Sequence, residues 1–167
     1  MPALDPELDV AVAAMIAEDA QFVIIGGFAV IANRFVRATE DIDFLAPDDV
    51  DNDRRVLAAL VKLGGVRLRD DAPLTDEHLL GQTHLRTKTR AGVIDILRGG
   101  LPPLDYDTVE ERAMRAEHDE GTFLVAGLSS IVAFKRLAGR PRDQNDLLGL
   151  AEIHGELPVE PIPGLDT

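Results

Sequence analysis

Apolar residues recur along this chain at two spacings, one typical of helices and the other typical of strands. The helical spacing predicts helices at about residues 8–19, 28–33, 49–63, 108–113, 129–137 and 143–153. Short apolar or alternating runs predict strands at about residues 22–25, 42–45, 83–89, 92–97 and 122–125. Residues 66–81 follow neither pattern and are predicted to form a loop. The order of these elements predicts a mixed α/β architecture with a helical C-terminal portion.

Length and composition favour a single domain. With 167 residues, of which 46% are hydrophobic and 28% charged, the chain is typical of a globular protein with one core. We predict one domain over residues 1–157 and a proline-rich, extended tail over 158–167. No apolar run approaches the roughly 20 residues that cross a bilayer, and the start lacks the regions of a signal peptide. Because the chain also lacks cysteine, we expect a cytoplasmic protein without a membrane partner.

Two adjacent glycines end the first predicted strand and open the helix that follows it. Gly26 and Gly27 come directly after the apolar run 22–25, so they predict a tight turn between strand and helix. The amide groups of such a turn would face any anion that lies above it. Most glycine pairs are ordinary turns, so this pair is weak evidence when taken alone.

Three aspartates on two predicted strands are the candidate catalytic groups. Asp41 and Asp43 are separated by one residue, so their side chains share one face of a strand, an arrangement that suits Mg²⁺. Asp95 lies in the apolar run 93–97, where an ionised carboxylate is costly unless it is paired or bound to a metal. If the two strands are neighbours, the three carboxylates converge and require divalent cations. The alternatives are a solvated strand end for the first two aspartates and an arginine partner for Asp95.

Basic residues form two groups in a chain whose net charge is −13. That charge repels nucleic acid at long range, so a nucleic-acid partner would need a local basic patch. Arg86, Lys88 and Arg90 alternate along one predicted strand and therefore share a face. The second group surrounds the end of the helix at 129–137 and comprises Lys135, Arg136, Arg140 and Arg142. For both groups, a solvated surface is the alternative to a functional role.

Two stretches resemble a known family. The first is residues 22–30, followed over residues 37–43 by the pattern Arg-x-Thr-x-Asp-x-Asp. The second is residues 128–147, with the pattern Lys-x-x-x-x-Arg-x-x-Asp-x-x-Asp. Both are similar to the DNA-polymerase-β-like nucleotidyltransferases, particularly the small bacterial branch that includes type IV toxin–antitoxin nucleotidyltransferases. The resemblance covers about residues 20–155 and is weakest at 64–82. Many members of the family have serine as the second residue of the glycine turn, whereas this turn offers backbone amides alone.

The resemblance implies a nucleotidyltransferase fold, in which helices flank a mixed central sheet. It implies transfer of a nucleoside monophosphate from a nucleoside triphosphate (NTP) to an acceptor hydroxyl, with release of pyrophosphate. Asp41 and Asp43 would bind two Mg²⁺ (or Mn²⁺) ions, and Asp95 would bind the catalytic ion and help to activate the hydroxyl. Gly26 and Gly27 would cradle the triphosphate, and Arg37 and Thr39 would brace the turn or reach a phosphate. Lys135 would neutralise phosphate charge. Asp143 and Asp146 would orient the C-terminal helices or the lysine.

The acceptor is left open among a protein side chain, a tRNA end and a small molecule. Aromatic residues make up only 4% of the chain, so a platform for base stacking is poorly supplied. The toxin–antitoxin branch adds the expectation of a toxin with a cognate antitoxin. Two alternatives come from other classes: a catalytically silent module of the same fold that binds a nucleotide or a protein, and a metal-binding structural domain.

Overall fold

The computed structural model describes residues 6–79 and 82–166. Its strands are β1 (Val23–Ile25), β2 (Asp41–Ala46), β3 (Val66–Arg67), β4 (His84–Thr89), β5 (Gly92–Arg98), β6 (Met114–His118) and β7 (Gly121–Val125). Its helices are α1 (Leu8–Ala17), α2 (Gly26–Ala32), α3 (Val50–Lys62), α4 (Tyr106–Glu111), α5 (Leu128–Ala138) and α6 (Pro141–His154), with a 3₁₀ turn at Asp76–His78. Residues 1–5, 80–81 and 167, which belong to the predicted domain, loop and tail, lie outside the described residues.

The strands of the described residues form one mixed sheet of seven strands in the order β3-β4-β5-β2-β1-β7-β6. Strand β2 runs parallel to β5 and antiparallel to β1, while β1 runs parallel to β7. The central strands carry side chains that are almost completely buried, namely Ile24, Ile42, Phe44, Ile94 and Ile96. The predicted fold class, a mixed sheet flanked by helices with a helical C-terminal portion, is therefore confirmed.

Local signals begin and end the helices that flank this sheet. The carboxylate of Asp49 accepts a hydrogen bond from the Asp51 amide at 2.9 Å, so it caps the start of α3. Gly139 takes the left-handed conformation (φ 63°) at the end of α5, and Pro141 occupies the first turn of α6. Because only two residues separate them, α5 and α6 pack against each other, and α5 also contacts α2.

The hydrophobic pattern missed the two edge strands of the sheet. The predicted loop at 66–81 contains β3 and the 3₁₀ turn, and β6 was not predicted as a strand. In β6, Met114, Arg115 and Glu117 are all exposed, so the strand has no consistently buried face. An edge strand that is largely in solvent needs no apolar alternation, and its pairing comes from backbone hydrogen bonds to its neighbour.

Residues 155–166 contain neither helix nor strand, and they pack against α5 and its surroundings. Ile162 is buried in a small cluster with Leu104 and Ala133. Arg136 of α5 donates a hydrogen bond to Asp166 at 2.6 Å. The division of the chain at residue 157 stays a prediction.

No helix among the described residues combines the length and the apolar character needed to span a membrane.

A buried ion pair joins α3 to the end of β5. Arg98 Nη1 donates to Asp53 Oδ2 at 2.5 Å, and both residues are almost fully buried. Arg98 also donates to the Gln82 carbonyl at 3.0 Å and contacts Asp48 at 3.2 Å. Burial raises the pKa of Asp53, although the Arg98 charge acts in the opposite direction. Arg98 therefore stabilises the ionised form of Asp53, which burial alone would disfavour.

Replacing this arginine should destabilise the fold in a pH-dependent way. We expect Arg98→Met to lower the free energy of unfolding at pH 8 by about 3 to 5 kcal/mol, because Asp53 loses its buried partner. The loss should be smaller at pH 5 than at pH 8, since burial raises the pKa of Asp53 and a lower pH favours the uncharged carboxyl that needs no cation. Urea denaturation at both pH values measures this difference. An equal loss at the two pH values would contradict the charge-based explanation.

Candidate active site

The parallel pairing of β2 with β5 brings the three predicted carboxylates together. Asp43 lies directly opposite Asp95 in the register, and Asp41 lies two residues before Asp43 on the same face of β2. On the other side of β5, Asp95 lies opposite Arg86 of β4. The side chains of Asp43, Asp95 and Arg86 therefore form a row across three neighbouring strands.

Burial and the neighbouring carboxylates disfavour the ionised form of Asp43. Asp95 is only 6% exposed. Burial is the largest cause that raises the pKa of Asp43 to about 7, and repulsion from Asp95 and Asp41 adds to it. Lys135 lowers the pKa of Asp43, but only in part. This is the environment in which divalent cations stabilise carboxylates, because each added positive charge removes repulsion.

Arg86 contacts two of these three carboxylates directly. Its Nε donates to Asp95 Oδ1 at 2.9 Å, and its Nη2 donates to Asp41 Oδ2 at 3.2 Å. The alternative of an arginine partner for Asp95 is thus observed. Within residues 6–79 and 82–166, no group of three or more His, Cys, Asp or Glu side chains is arranged to hold a metal ion.

The donor set nevertheless fits Mg²⁺ or Mn²⁺ chemically. Asp41, Asp43 and Asp95 offer the hard carboxylate oxygens that these ions prefer. The Arg86 side chain is 47% exposed, so it can turn away from the carboxylates without leaving a buried position. An ion could therefore take the place of the guanidinium at Asp95 and Asp41.

The two glycines at the start of α2 are required by what lies against them. A β-carbon on Gly26, whose φ is +69°, would lie 2.1 Å from Asp43 Oδ2. A β-carbon on Gly27 would lie 2.4 Å from Thr39 Oγ1 and 3.2 Å from Arg37 Nη1. The turn therefore brings the backbone of α2 into contact with the carboxylate of Asp43 and with the segment that leads into β2.

A network of ion pairs on α5 and α6 forms the wall of the site opposite the carboxylates of β2 and β5. Lys135 Nζ lies 3.0 Å from Asp143 Oδ1 and 2.9 Å from Asp146 Oδ2. Arg37 binds Asp146 through two hydrogen bonds of 2.7 and 2.9 Å, and Arg140 Nε donates to Asp143 at 2.7 Å. Burial raises the pKa of Asp143, but the hydrogen bonds from Arg140 and Lys135 outweigh it and bring the pKa to about 2. Both aspartates of α6 are therefore occupied in holding cations in place.

These elements enclose a cavity of about 850 Å³. The carboxylates of β2 and β5 line one side, and Lys135, Arg140 and Arg142 line another. All eight predicted site residues line it: Gly26, Gly27, Arg37, Thr39, Asp41, Asp43, Asp95 and Lys135. Its volume is within the range of roughly 300 to 1,000 Å³ that is usual for small-molecule sites.

Three cavity residues are absent from the predicted site although their positions carry a signal. Arg86, Arg140 and Arg142 belong to the two basic groups, but sequence spacing alone does not separate them from neighbours with other contacts. Lys88 instead binds Asp71 at 2.8 Å, and Arg136 binds Asp166. Which basic residues line the cavity depends on the pairing of β4 with β5 and on the turn between α5 and α6.

No known family model matches this sequence, and no curated protein is significantly similar to it. Several solved structures are similar in fold. The crystal structure of ANT(2'')-Ia in complex with adenylyl-2''-tobramycin matches at a TM-score of 0.60 and 14% identity, over 89% of this chain and 87% of that chain. The solution structure of the antibiotic-resistance factor ANT(2'')-Ia matches at 0.62 and 13%, over 89% and 82%.

A third similar structure is the antigenic nucleotidyltransferase-like protein from Paracoccidioides brasiliensis, with a TM-score of 0.52 and 14% identity, over 95% of this chain and 81% of that chain. The chain has a nucleotidyltransferase fold. At these identities the similarity extends to the fold alone.

Removing the Arg86 guanidinium should strengthen metal binding at the carboxylates. We expect Arg86→Gln to raise the affinity for Mn²⁺ by about tenfold, because a competing positive charge beside Asp41 and Asp95 is lost. The signal of free Mn²⁺ in electron paramagnetic resonance measures this affinity without any enzymatic assay. Lys88→Gln, which changes an exposed cation on the same strand, is the matched control. Equal Mn²⁺ affinities in all three proteins would show that the ion does not compete with Arg86.

Neutralising Asp43 should stabilise the metal-free protein at alkaline pH. A carboxyl with a raised pKa in the folded state stabilises the protein below pH 4, and this contribution is lost as the pH rises towards 7. Asp43→Asn should therefore gain about 2 to 4 kcal/mol over wild type between pH 4 and pH 8. Urea denaturation in a chelator measures the gain. If the difference between the two proteins does not change with pH, the pKa of Asp43 is not raised in the folded protein.

Proposed function

We propose that this protein is a metal-dependent nucleotidyltransferase that moves a nucleoside monophosphate from an NTP to an acceptor hydroxyl. The observation that carries the proposal is the meeting of three repelling carboxylates from β2 and β5 at one side of a cavity that has cations on another side. Such a cavity matches the charge distribution of an NTP bound with divalent cations. The fold supports the same reaction class, although a fold alone does not determine activity.

The carboxylates are the proposed metal-holding and catalytic groups. Asp41, Asp43 and Asp95 would hold Mg²⁺ or Mn²⁺, which when bound neutralises the charge of the phosphates. The acceptor oxygen forms a bond to the α-phosphorus, and the bond from that phosphorus to the bridging oxygen breaks. Pyrophosphate leaves with the electron pair. The hydroxyl proton passes to Asp95. Asp95 lies opposite Asp43, so the proton stays within the row of carboxylates.

The remaining predicted residues would bind and orient the triphosphate. The backbone of Gly26 and Gly27 is open to a close approach by phosphate oxygens, since neither residue has a side chain. Lys135 would contribute positive charge from a position that Asp143 and Asp146 determine. Arg37 and Thr39, which lie beside Gly27, would brace the glycine turn or reach a phosphate. Arg37 also contacts α6 through Asp146.

A catalytically silent module of the same fold is the second candidate. The contacts of Arg86 with Asp95 and Asp41 favour it, because a permanently retained arginine would neutralise the carboxylates without any metal. Such a protein would bind a nucleotide or a protein partner and transfer nothing. The Mn²⁺ affinity of the Arg86 variant separates the two candidates before any substrate is known.

The acceptor and the biological role are further parts of this proposal. A protein side chain, a tRNA end and a small molecule remain the candidate acceptors. A toxin role with a cognate antitoxin, and a cytoplasmic location, are supported only by the sequence resemblance and composition described above.

Transfer of label from each of the four α-labelled ribonucleoside triphosphates tests the proposal. The acceptors are the protein, RNA and small-molecule fractions of a cell lysate, with Mg²⁺ or Mn²⁺ present. We expect transfer to one fraction, and a loss of about a thousandfold in Asp41→Asn and Asp43→Asn, because bound metals contribute several kcal/mol to such reactions.

Asp119→Asn, which changes an exposed carboxylate in the turn between β6 and β7, is the matched control and should transfer normally. Transfer that persists in both active-site variants would refute the assigned roles. Absence of transfer, together with absence of NTP binding in calorimetry, would favour the silent module.

A further inference from the structure

A second cavity of about 510 Å³ lies beside the candidate active site. We name it the β3–β4 groove. Its polar lining comes from β3 and the residues after it, from the 3₁₀ turn and from β4, and consists mainly of Arg67, Arg69, Glu77, His78, His84 and Arg86. His84 and Arg86 line the main cavity as well. The two cavities therefore share a wall beside Asp95.

The charge of this groove is opposite to that of the whole protein. In a chain with a net charge of −13, the groove has three arginines and one glutamate in its lining. Arg67 binds Asp70 through hydrogen bonds of 2.9 and 2.5 Å, and Arg86 is shared with Asp41 and Asp95. Arg69 is exposed and forms no hydrogen bond or ion pair with any residue that the structure describes. The groove thus offers at least one guanidinium that is ready to bind an anion.

The order of strands separates the two sides of the candidate active site. The glycine turn follows β1, and the cations of α5 and α6 line the cavity into which it opens. The β3–β4 groove lies at the other end of the row, beyond β5. The carboxylates of Asp43 and Asp95 lie between the two sides. A triphosphate on the glycine side would leave the groove side open to the second substrate.

We propose, on the basis of the transferase function proposed above, that the β3–β4 groove binds the phosphate group of a small, phosphorylated hydroxyl acceptor. Arginine guanidinium groups bind phosphate oxygens through paired hydrogen bonds. Arg69 and Arg86 both line the groove, and Arg86 also contacts Asp95. A cationic acceptor such as an aminoglycoside would meet arginines here.

Size and overall charge both favour a small acceptor over a nucleic acid. The groove has the volume of a small-molecule site, for which roughly 300 to 1,000 Å³ is usual. A long polyanion would be repelled by the net charge of −13 before it reached the local arginines. A single phosphate group needs only the groove itself.

Titration with inorganic phosphate, followed by amide chemical shifts in nuclear magnetic resonance, locates the anion site. We expect shifts at residues 67–69 and 84–86 in wild type, and an affinity about tenfold lower in Arg69→Gln, because a charged hydrogen bond is lost. Arg69 is exposed, and its charge acts on the exposed Asp70 without a hydrogen bond or ion pair among the described residues, so the variant should fold normally. Arg115→Gln on β6, an exposed arginine at the opposite edge of the sheet, is the matched control and should bind phosphate like wild type.

Two outcomes would overturn the proposal. The first is an affinity that Arg69→Gln leaves unchanged, or shifts confined to the glycine turn and residues 140–142. The second is a single-stranded oligoribonucleotide that displaces phosphate from the groove at a far lower concentration than glucose 6-phosphate does, which would assign the groove to RNA. A parallel titration with ATP and Mg²⁺ reports separately on Gly26 and Gly27, so a failure of the transferase proposal would be recognised as such.

Discussion

Repulsion between the carboxylates of Asp43 and Asp95 is the constraint on which the rest of this structure depends. The parallel register of β2 and β5 places them opposite each other, and burial prevents water from screening their charges. Three neighbouring residues accommodate these carboxylates. Gly26 has no side chain where one would collide with Asp43, Arg86 pairs with Asp95, and Lys135 lowers the pKa of Asp43 from the opposite wall.

The helical hairpin of α5 and α6 holds its own cations by a different principle. Asp143 and Asp146 are buried, but each accepts charged hydrogen bonds from two cations. On α6 each carboxylate contacts two cations, whereas on the sheet Asp41 and Asp95 share one arginine and Asp43 contacts none of the described cations directly. The carboxylates of α6 are paired with cations without a ligand, whereas the negative charge of the sheet carboxylates is only partly balanced. This contrast indicates which side of the cavity gains most from bound cations.

The sequence predicted the central strands, the glycine turn and the terminal helices, because each has an apolar run or a breaker that acts locally. Edge strands β3 and β6 were missed, since their residues lack a buried face. The convergence of Asp43 with Asp95 was only conditional, because it depends on a pairing between segments that are far apart in the chain. The same is true of Arg86, for which the spacing predicted a shared face with Lys88 but not a contact with Asp95.

The position of Arg86 between two cavities has a thermodynamic consequence. One guanidinium cannot serve the carboxylates and the β3–β4 groove at the same time. Cations on Asp41 and Asp95 would release it towards the groove, and an anion in the groove would draw it from the carboxylates. Each ligand would then raise the affinity for the other by the same factor, whichever arrives first. A single side chain would thereby couple the loading of the two substrates, with no movement of the backbone.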